Sequence, residues 1–307
     1  MRTRNKFVLL FVALCSVFFI SGCSIEQTIY LGDVNVEAPI CSPPTHLNVN
    51  KEPGSITISP TFSLIKNNTT INGSTDNHYT GIFRSGDTLT YRAKSKNLEW
   101  NVSRFTFGVD LDLKMSESFS IFGGFNASGD SRINLTGGNF GIGFHSHNKN
   151  PIIRFDLGLT IQEYDFTAVT IVQTKTNSIF GSDEYWDIFA DRGNTTNINP
   201  FFTLTLNSSS DSNFVNWFVT GGYFTQNLLG FTPGTYSYPL FPWPITYTKI
   251  DTRSDMLAGF LYVNPGIMLS LGPHTRFVIS VRMMDEISAT GGTGMLFMPS
   301  AQIDFQL

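Results

Sequence analysis

Charge is what this 307-residue chain has least of. Only 14% of its residues are Asp, Glu, Lys or Arg, against about 25% in an average soluble domain. Its 28 Phe outnumber its 20 Lys plus Arg. So few cations exclude a nucleic-acid binder, which needs a basic stripe, and so many aromatics exclude a disordered chain. Long apolar runs are missing too. The longest, Phe7 to Ile20, has 14 residues, fewer than the roughly 20 a spanning helix needs, and mean hydropathy is near zero. A helical membrane bundle is therefore excluded. Cysteine is scarce: Cys15, Cys23 and Cys41 are the whole set, without Cys-x-x-Cys or Cys/His metal spacing. No metal site and no cofactor are expected. Gly-x-Ser-x-Gly elbows, phosphate-binding glycine loops and zinc-binding helices are absent as well.

What is present begins with an address. Arg2, Arg4 and Lys6 precede the apolar run, and Ile20-Ser21-Gly22-Cys23 follows it, the layout of an export signal. The tetrapeptide resembles a bacterial lipobox: an aliphatic residue, two small ones, then the Cys that becomes the lipidated N-terminus. The resemblance implies that residues 1–22 are a lipoprotein signal peptide and that Cys23 carries a diacylglyceryl group with fatty acyl (palmitate-type) chains, each buried CH₂ contributing about 0.8 kcal/mol to membrane attachment. It also implies delivery to the outer membrane, since Ser24 rather than Asp follows. Removing the signal takes away three cations, leaving a formal net charge of 17 − 24 = −7. Cys41 is then the one thiol left, so no internal disulfide is available. Residues 23–53 hold Pro39, Pro43, Pro44 and Pro53 among polar residues without a sustained period. They read as a lipid-anchored periplasmic linker.

Residues 54–307 alternate with period two. Phe105, Phe107, Val109, Leu111 and Leu113 interleave with Thr106, Gly108, Asp110, Asp112 and Lys114. Ile153, Phe155, Leu157, Leu159 and Ile161 interleave with Arg154, Asp156, Gly158, Thr160 and Gln162, and the last residues do the same. Strands of about ten residues fit an apolar band about 25 Å tall crossed at roughly 40°; ordinary globular strands have about five or six. Ten strands are expected, near 55–65, 99–115, 117–127, 133–146, 151–166, 197–208, 213–226, 255–271, 275–286 and 293–307. Short turns near 115–117, 147–150, 208–212 and 272–274 alternate with loops at 66–98, 128–132, 167–196, 227–254 and 287–292. A further hairpin within 80–92 is an open alternative, and eight or twelve strands would keep the same end parity.

This pattern resembles a small bacterial outer-membrane β-barrel, in which short turns face the periplasm and long loops the outside. The final strand, with Phe305 and Leu307 at its end, is similar to the signal that such proteins show to the barrel-assembly machinery. The fold class expected is all-β: an antiparallel up-and-down transmembrane barrel. Its partners would be membrane lipid, through acylated Cys23 and the barrel exterior, and that machinery.

Function is read from the two polar regions. Asp110, Asp112, Lys114, Arg154, Asp156, Arg282 and Asp304 fall on strand faces that would point into the lumen, either as an internal ion-pair network or along a passage for small solutes. Ten strands disfavour a wide pore. The outer loops are rich in aromatics: Tyr185 and Trp186 in one, Tyr236, Tyr238 and Trp243 in another. These either belong to the interfacial girdle or contact a ligand. Ten-stranded barrels include the omptin proteases, which use paired acids and an Asp-x-His element at the outer rim. Asp76-Asn77-His78 has that spacing, but the acid pair Asp110 and Asp112 falls toward the other end of its strand. General-base chemistry needs hydrogen-bond reach. The expectation is a non-enzymatic barrel with a structural or surface-binding role. A small-solute transport barrel and a soluble, lipid-anchored β-sandwich are the alternatives.

Overall fold

The computed structural model describes residues 24–47, 52–65, 70–73, 78–82, 88–92, 98–130, 134–146, 150–178, 181–208, 214–227, 246–251, 257–287 and 295–307. These form strands and no helix. In chain order they are β1 (Ser24–Ala38), β2 (Ile56–Leu64), β3 (Thr70–Gly73), β4 (His78–Ile82), β5 (Thr88–Arg92), β6 (Leu98–Val102), β7 (Phe105–Ser116) and β8 (Phe119–Gly129). There follow β9 (Leu135–His145), β10 (Ile152–Ser178), β11 (Gly181–Asn207), β12 (Val215–Asn227), β13 (Thr246–Asp251), β14 (Leu257–Ser270), β15 (Thr275–Glu286) and β16 (Leu296–Gln306). Ten of them close a ring, antiparallel throughout, in the order β2–β7–β8–β9–β10–β11–β12–β14–β15–β16. The seam lies between β16 and β2, where Leu307 N–H donates to Ile56 O at 2.9 Å and Ile56 N–H to Leu307 O at 3.2 Å. All ten expected barrel strands are present. A β-sandwich would need two sheets packed face to face, so that alternative falls.

The pleat explains which residues went where. On β10, Ile153, Phe155 and Leu157 are 46%, 37% and 41% exposed while Arg154 and Asp156 between them are 0% and 1%. Strands β7, β11, β14 and β15 repeat this, with Phe107, Leu111, Phe202, Leu204, Leu261, Val263 and Ile279 all outward. Such a contiguous apolar exterior is untenable in water; on a closed barrel it is the lipid-facing band. A closed ring also leaves no unpaired edge at that depth.

Inside, β9 presents glycine where the lumen is crowded. A Cβ on Gly141 would lie 2.3 Å from Leu157 O and 2.4 Å from the Phe122 ring. Overpacking of this kind costs about 1–3 kcal/mol or more. Gly141→Val is therefore expected to lower the urea midpoint of the folded barrel in detergent, read by the loss of its heat-modifiable gel band.

Three expectations are corrected. The loop expected at 167–196 is a continuation of the wall: β10 and β11 stay in register from Ile152↔Asn207 to Ser178↔Gly181. Thr, Val and Ile between 167 and 174 are strand formers, and a length limit set by the bilayer does not apply beyond it. Second, the strand expected at 99–115 breaks at Ser103-Arg104, and β6 pairs with β1 and β3 instead of the barrel. The hairpin left open within 80–92 exists as β4–β5. Third, residues 24–47 of the expected linker are held by the barrel. Strand β1 pairs with β10 beyond the barrel, and residues 39–47 enter the lumen, where Ile40, Cys41, His46 and Leu47 are buried.

Candidate functional site

The lumen is built around that inserted segment, a strap. Pro39, Pro43 and Pro44 deny it a hydrogen-bonded ladder, so its backbone must find side-chain partners, and the wall supplies them. Cys41 N–H donates to Gln226 Oε1 at 3.0 Å, and Gln226 Nε2 donates to Pro39 O at 2.7 Å. Arg282 Nη2 donates to Pro43 O at 2.8 Å and to Thr45 Oγ1 at 3.2 Å. Asn264 Nδ2 reaches Thr45 Oγ1 at 3.1 Å, and Gln302 Nε2 reaches Thr45 O at 3.2 Å. His46 packs on Phe122 with ring centroids 4.4 Å apart. Leu47 joins Phe218, Met268 and Val278 in a small apolar cluster. Beside the strap about 70 Å³ remains, room for a few waters.

The seven charged residues expected in the lumen all lie on inward faces, six of them buried and Asp112 half-buried. Arg154 is the hub. Its Nη1 and Nη2 donate to Asp112 at 2.6 and 3.0 Å, and its Nε donates to Asp156 Oδ1 at 2.6 Å. Asp156 also accepts from Thr203 Oγ1 at 3.3 Å and lies 3.5 Å from His46 Nδ1. Gly143 makes room for this triad, since a Cβ there would sit 2.5 Å from Asp156 Oδ1. Asp110 accepts from Asn139 Nδ2 at 2.6 Å. Asp304 accepts from Ser59 Oγ at 2.7 Å and from Gln302 Nε2 at 2.6 Å. Arg282 lies over the Tyr262 ring, 4.8 Å from its centroid, and holds the strap. Lys114 is buried on the same face of β7 as Asp110 and Asp112. Ser120 and His145, on facing strands, approach to 3.1 Å and tie β8 to β9.

At the long-loop mouth lies an apolar cluster that sequence reasoning missed. Val34, Val36, Ala38 and Trp100 come from β1 and β6, and Phe224, Phe260 and Met284 from the wall. Trp100 donates to Ala38 O at 3.0 Å and meets Phe260 edge-on at 6.0 Å.

Above the lipid-facing band, the same outward face turns polar. On β10 it passes from Ile161 to Glu163, Asp165 and Thr167, side chains two apart sharing one face. The sheet register sets Asp165 beside Glu37 and Asn194, and Glu37 beside Asn101. Asn101 Nδ2 donates to Asn35 Oδ1 at 2.9 Å, and Asn194 Nδ2 to Asp165 Oδ1 at 3.0 Å. Asn35, Glu37, Asn101 and Asp165, together with Asp130, Asn134 and Arg192, line a cleft of about 660 Å³. The expected loop aromatics do not converge here. Trp186 is buried, with Nε1 donating to Glu184 Oε1 at 3.2 Å, and so is corrected as a ligand contact. Tyr185 is half-buried on β11. Tyr236, Tyr238, Trp243 and Cys23 lie outside the described residues. His78 stands on β4, beyond the barrel, while Asp110 and Asp112 face the lumen. Among the described residues no cluster of His, Cys, Asp or Glu could hold a metal ion.

No protein-family model matches the sequence, and no curated protein does. Solved structures do. The outer membrane protease OmpT from Escherichia coli is 8% identical, with 94% of this chain and 98% of that one covered and a TM-score of 0.33. LpxR from Salmonella typhimurium is 12% identical over 82% and 99%, with a TM-score of 0.32. The translocator domain of the autotransporter NalP from Neisseria meningitidis is 11% identical over 83% and 89%, with a TM-score of 0.31. What the chain itself shows is a closed ten-stranded antiparallel β-barrel with an apolar exterior. The expectation of no enzymatic activity is withdrawn, because an outer-membrane barrel among these structures is a protease.

Proposed function

We propose that this barrel is a lipoprotein of the bacterial outer membrane that binds a hydroxyl-rich ligand, of the carbohydrate class, at its outer rim. One observation carries the reading: the polar cleft lies directly above the apolar band, while the lumen beneath it is filled by the strap. Asn134 Nδ2 donates to Glu37 Oε1 at 2.9 Å, and the second amide hydrogens of Asn101 and Asn134, the Arg192 guanidinium and the further lone pairs of Glu37 and Asp165 set donors beside acceptors, the complement of vicinal hydroxyls. The filled lumen argues for a ligand met at the surface over a solute that passes through. Insertion would use the barrel-assembly machinery, through β16.

The test is binding of the full chain in detergent to a panel of neutral and acidic oligosaccharides. Asn35→Ala with Asn101→Ala is expected to weaken binding at least about tenfold, the effect of one well-placed hydrogen bond or more. A wild-type chain that retains none of the panel refutes the proposal. For the lipid, Cys23→Ser is expected to abolish incorporation of labelled palmitate in growing cells, and incorporation that persists rejects the lipobox.

A further inference from the structure

The strap has a direction. Strand β1 starts with Ser24 opposite Asn177, near the far end of β10, and descends to Glu37 opposite Asp165 above the apolar band. The chain then passes Gln226 at Cys41, Arg282 and Gln302 at Thr45, and Phe218 and Met268 at Leu47. Gln226 is at the long-loop end of β12 and Phe218 near its short-turn end. Finally β2 begins at Ile56, bonded to Leu307. The segment therefore enters at the long-loop mouth and leaves toward the short-turn mouth.

We infer that the mature N-terminus of this barrel is displayed on the outer face of the cell, threaded through the barrel's own lumen. Resting on the lipoprotein reading, the acyl group of Cys23 is displayed there too, one residue from Ser24. This reverses the inner-leaflet tether expected from the linker. The apolar wall already holds the barrel in the bilayer, so the acyl chains are not needed as its anchor. Asn177 is 177 − 161 = 16 residues beyond Ile161 on β10, roughly 50 Å along the strand at about 3.3 Å per residue.

Two tagged full-length chains test this, one with an epitope between Ser24 and Ile25, the other with it between Gly272 and Pro273. On intact cells, antibody is expected to label the first as fully as on permeabilised cells, and the second only after permeabilisation. Both tags hidden on intact cells would overturn the threading. A hidden N-terminal tag with a visible turn tag would show a reversed barrel and overturn the surface placement. An untagged chain gives an independent readout. Asn199 Nδ2 lies 3.5 Å from Cys41 Sγ, so Asn199→Cys is expected to form a disulfide with Cys41 in the oxidising envelope, seen as a mobility shift without reductant. Two freely alkylated thiols would place the strap outside the lumen and overturn the inference. Failure of palmitate labelling with the tag still visible would remove only the acyl group and leave the display of the N-terminus in place.

Discussion

A chain lacking residues 24–47, but retaining residues 1–23, is expected to conduct ions where the full chain is silent. The reason is volume. The strap occupies the lumen, with a pocket of about 70 Å³ beside it, and its departure exposes Gln226, Arg282 and Gln302, which hold it now. The ring does not need the strap to close, since its ladder runs from β2 round to β16 without it. In planar bilayers the shortened barrel should give discrete current steps from a baseline on which the full chain gives none. A milder pair, Arg282→Ala with Gln302→Ala, removes donors to Pro43 O and Thr45 and should give intermittent openings. If the shortened barrel folds, by heat-modifiable migration, and stays silent, the wall side chains close the lumen unaided and the strap is not the plug.

Arg154→Met is expected to cost about 3–5 kcal/mol of barrel stability, the usual penalty for removing one partner of a buried ion pair. The guanidinium makes three short bonds to Asp112 and Asp156. Methionine keeps an unbranched apolar stem but leaves those two carboxylates without the guanidinium. Unfolding in urea, followed by tryptophan emission in detergent, measures the loss. The triple change Arg154→Met, Asp112→Asn and Asp156→Asn should recover most of it, because removing a buried charge set together is often close to neutral. A triple variant as unstable as Arg154→Met alone would show that methionine packing, and not charge, is the cause.

The wall was legible in the sequence because its rule is local. Period-two alternation fixes which side of a strand meets lipid, so Asp110, Arg154, Asp156, Arg282 and Asp304 could be assigned to the lumen from spacing alone. The strap was not legible, because what holds it is distant in the chain: Cys41 is 185 residues from Gln226 and Thr45 is 237 from Arg282. Its prolines report that no ladder forms and say nothing of where the segment goes. The outer half of β10 and β11 was hidden for a different reason. Where polar and apolar residues mix on both faces of a strand the hydropathy alternation fades, and only the strand-forming residues from Thr167 to Thr174 remain as a signal. Trp186 shows the limit of reading aromatics by type, since the same ring serves a core or a ligand according to packing. Trp100, the centre of the cluster at the long-loop mouth, had only the apolar β1 segment around Val34 and Val36 as a clue.

The closing bonds between Ile56 and Leu307 also limit how the strap can come to lie inside. The last strand synthesised completes a hoop around a stretch made near the beginning. Once shut, the hoop has room for an extended chain and not for a folded domain. Residues 39–47 are therefore enclosed either by the final pairing of β16 with β2 or by threading as an extended chain. A compact fusion partner placed ahead of Ser24 would have to reach the far side before that pairing, or remain behind it.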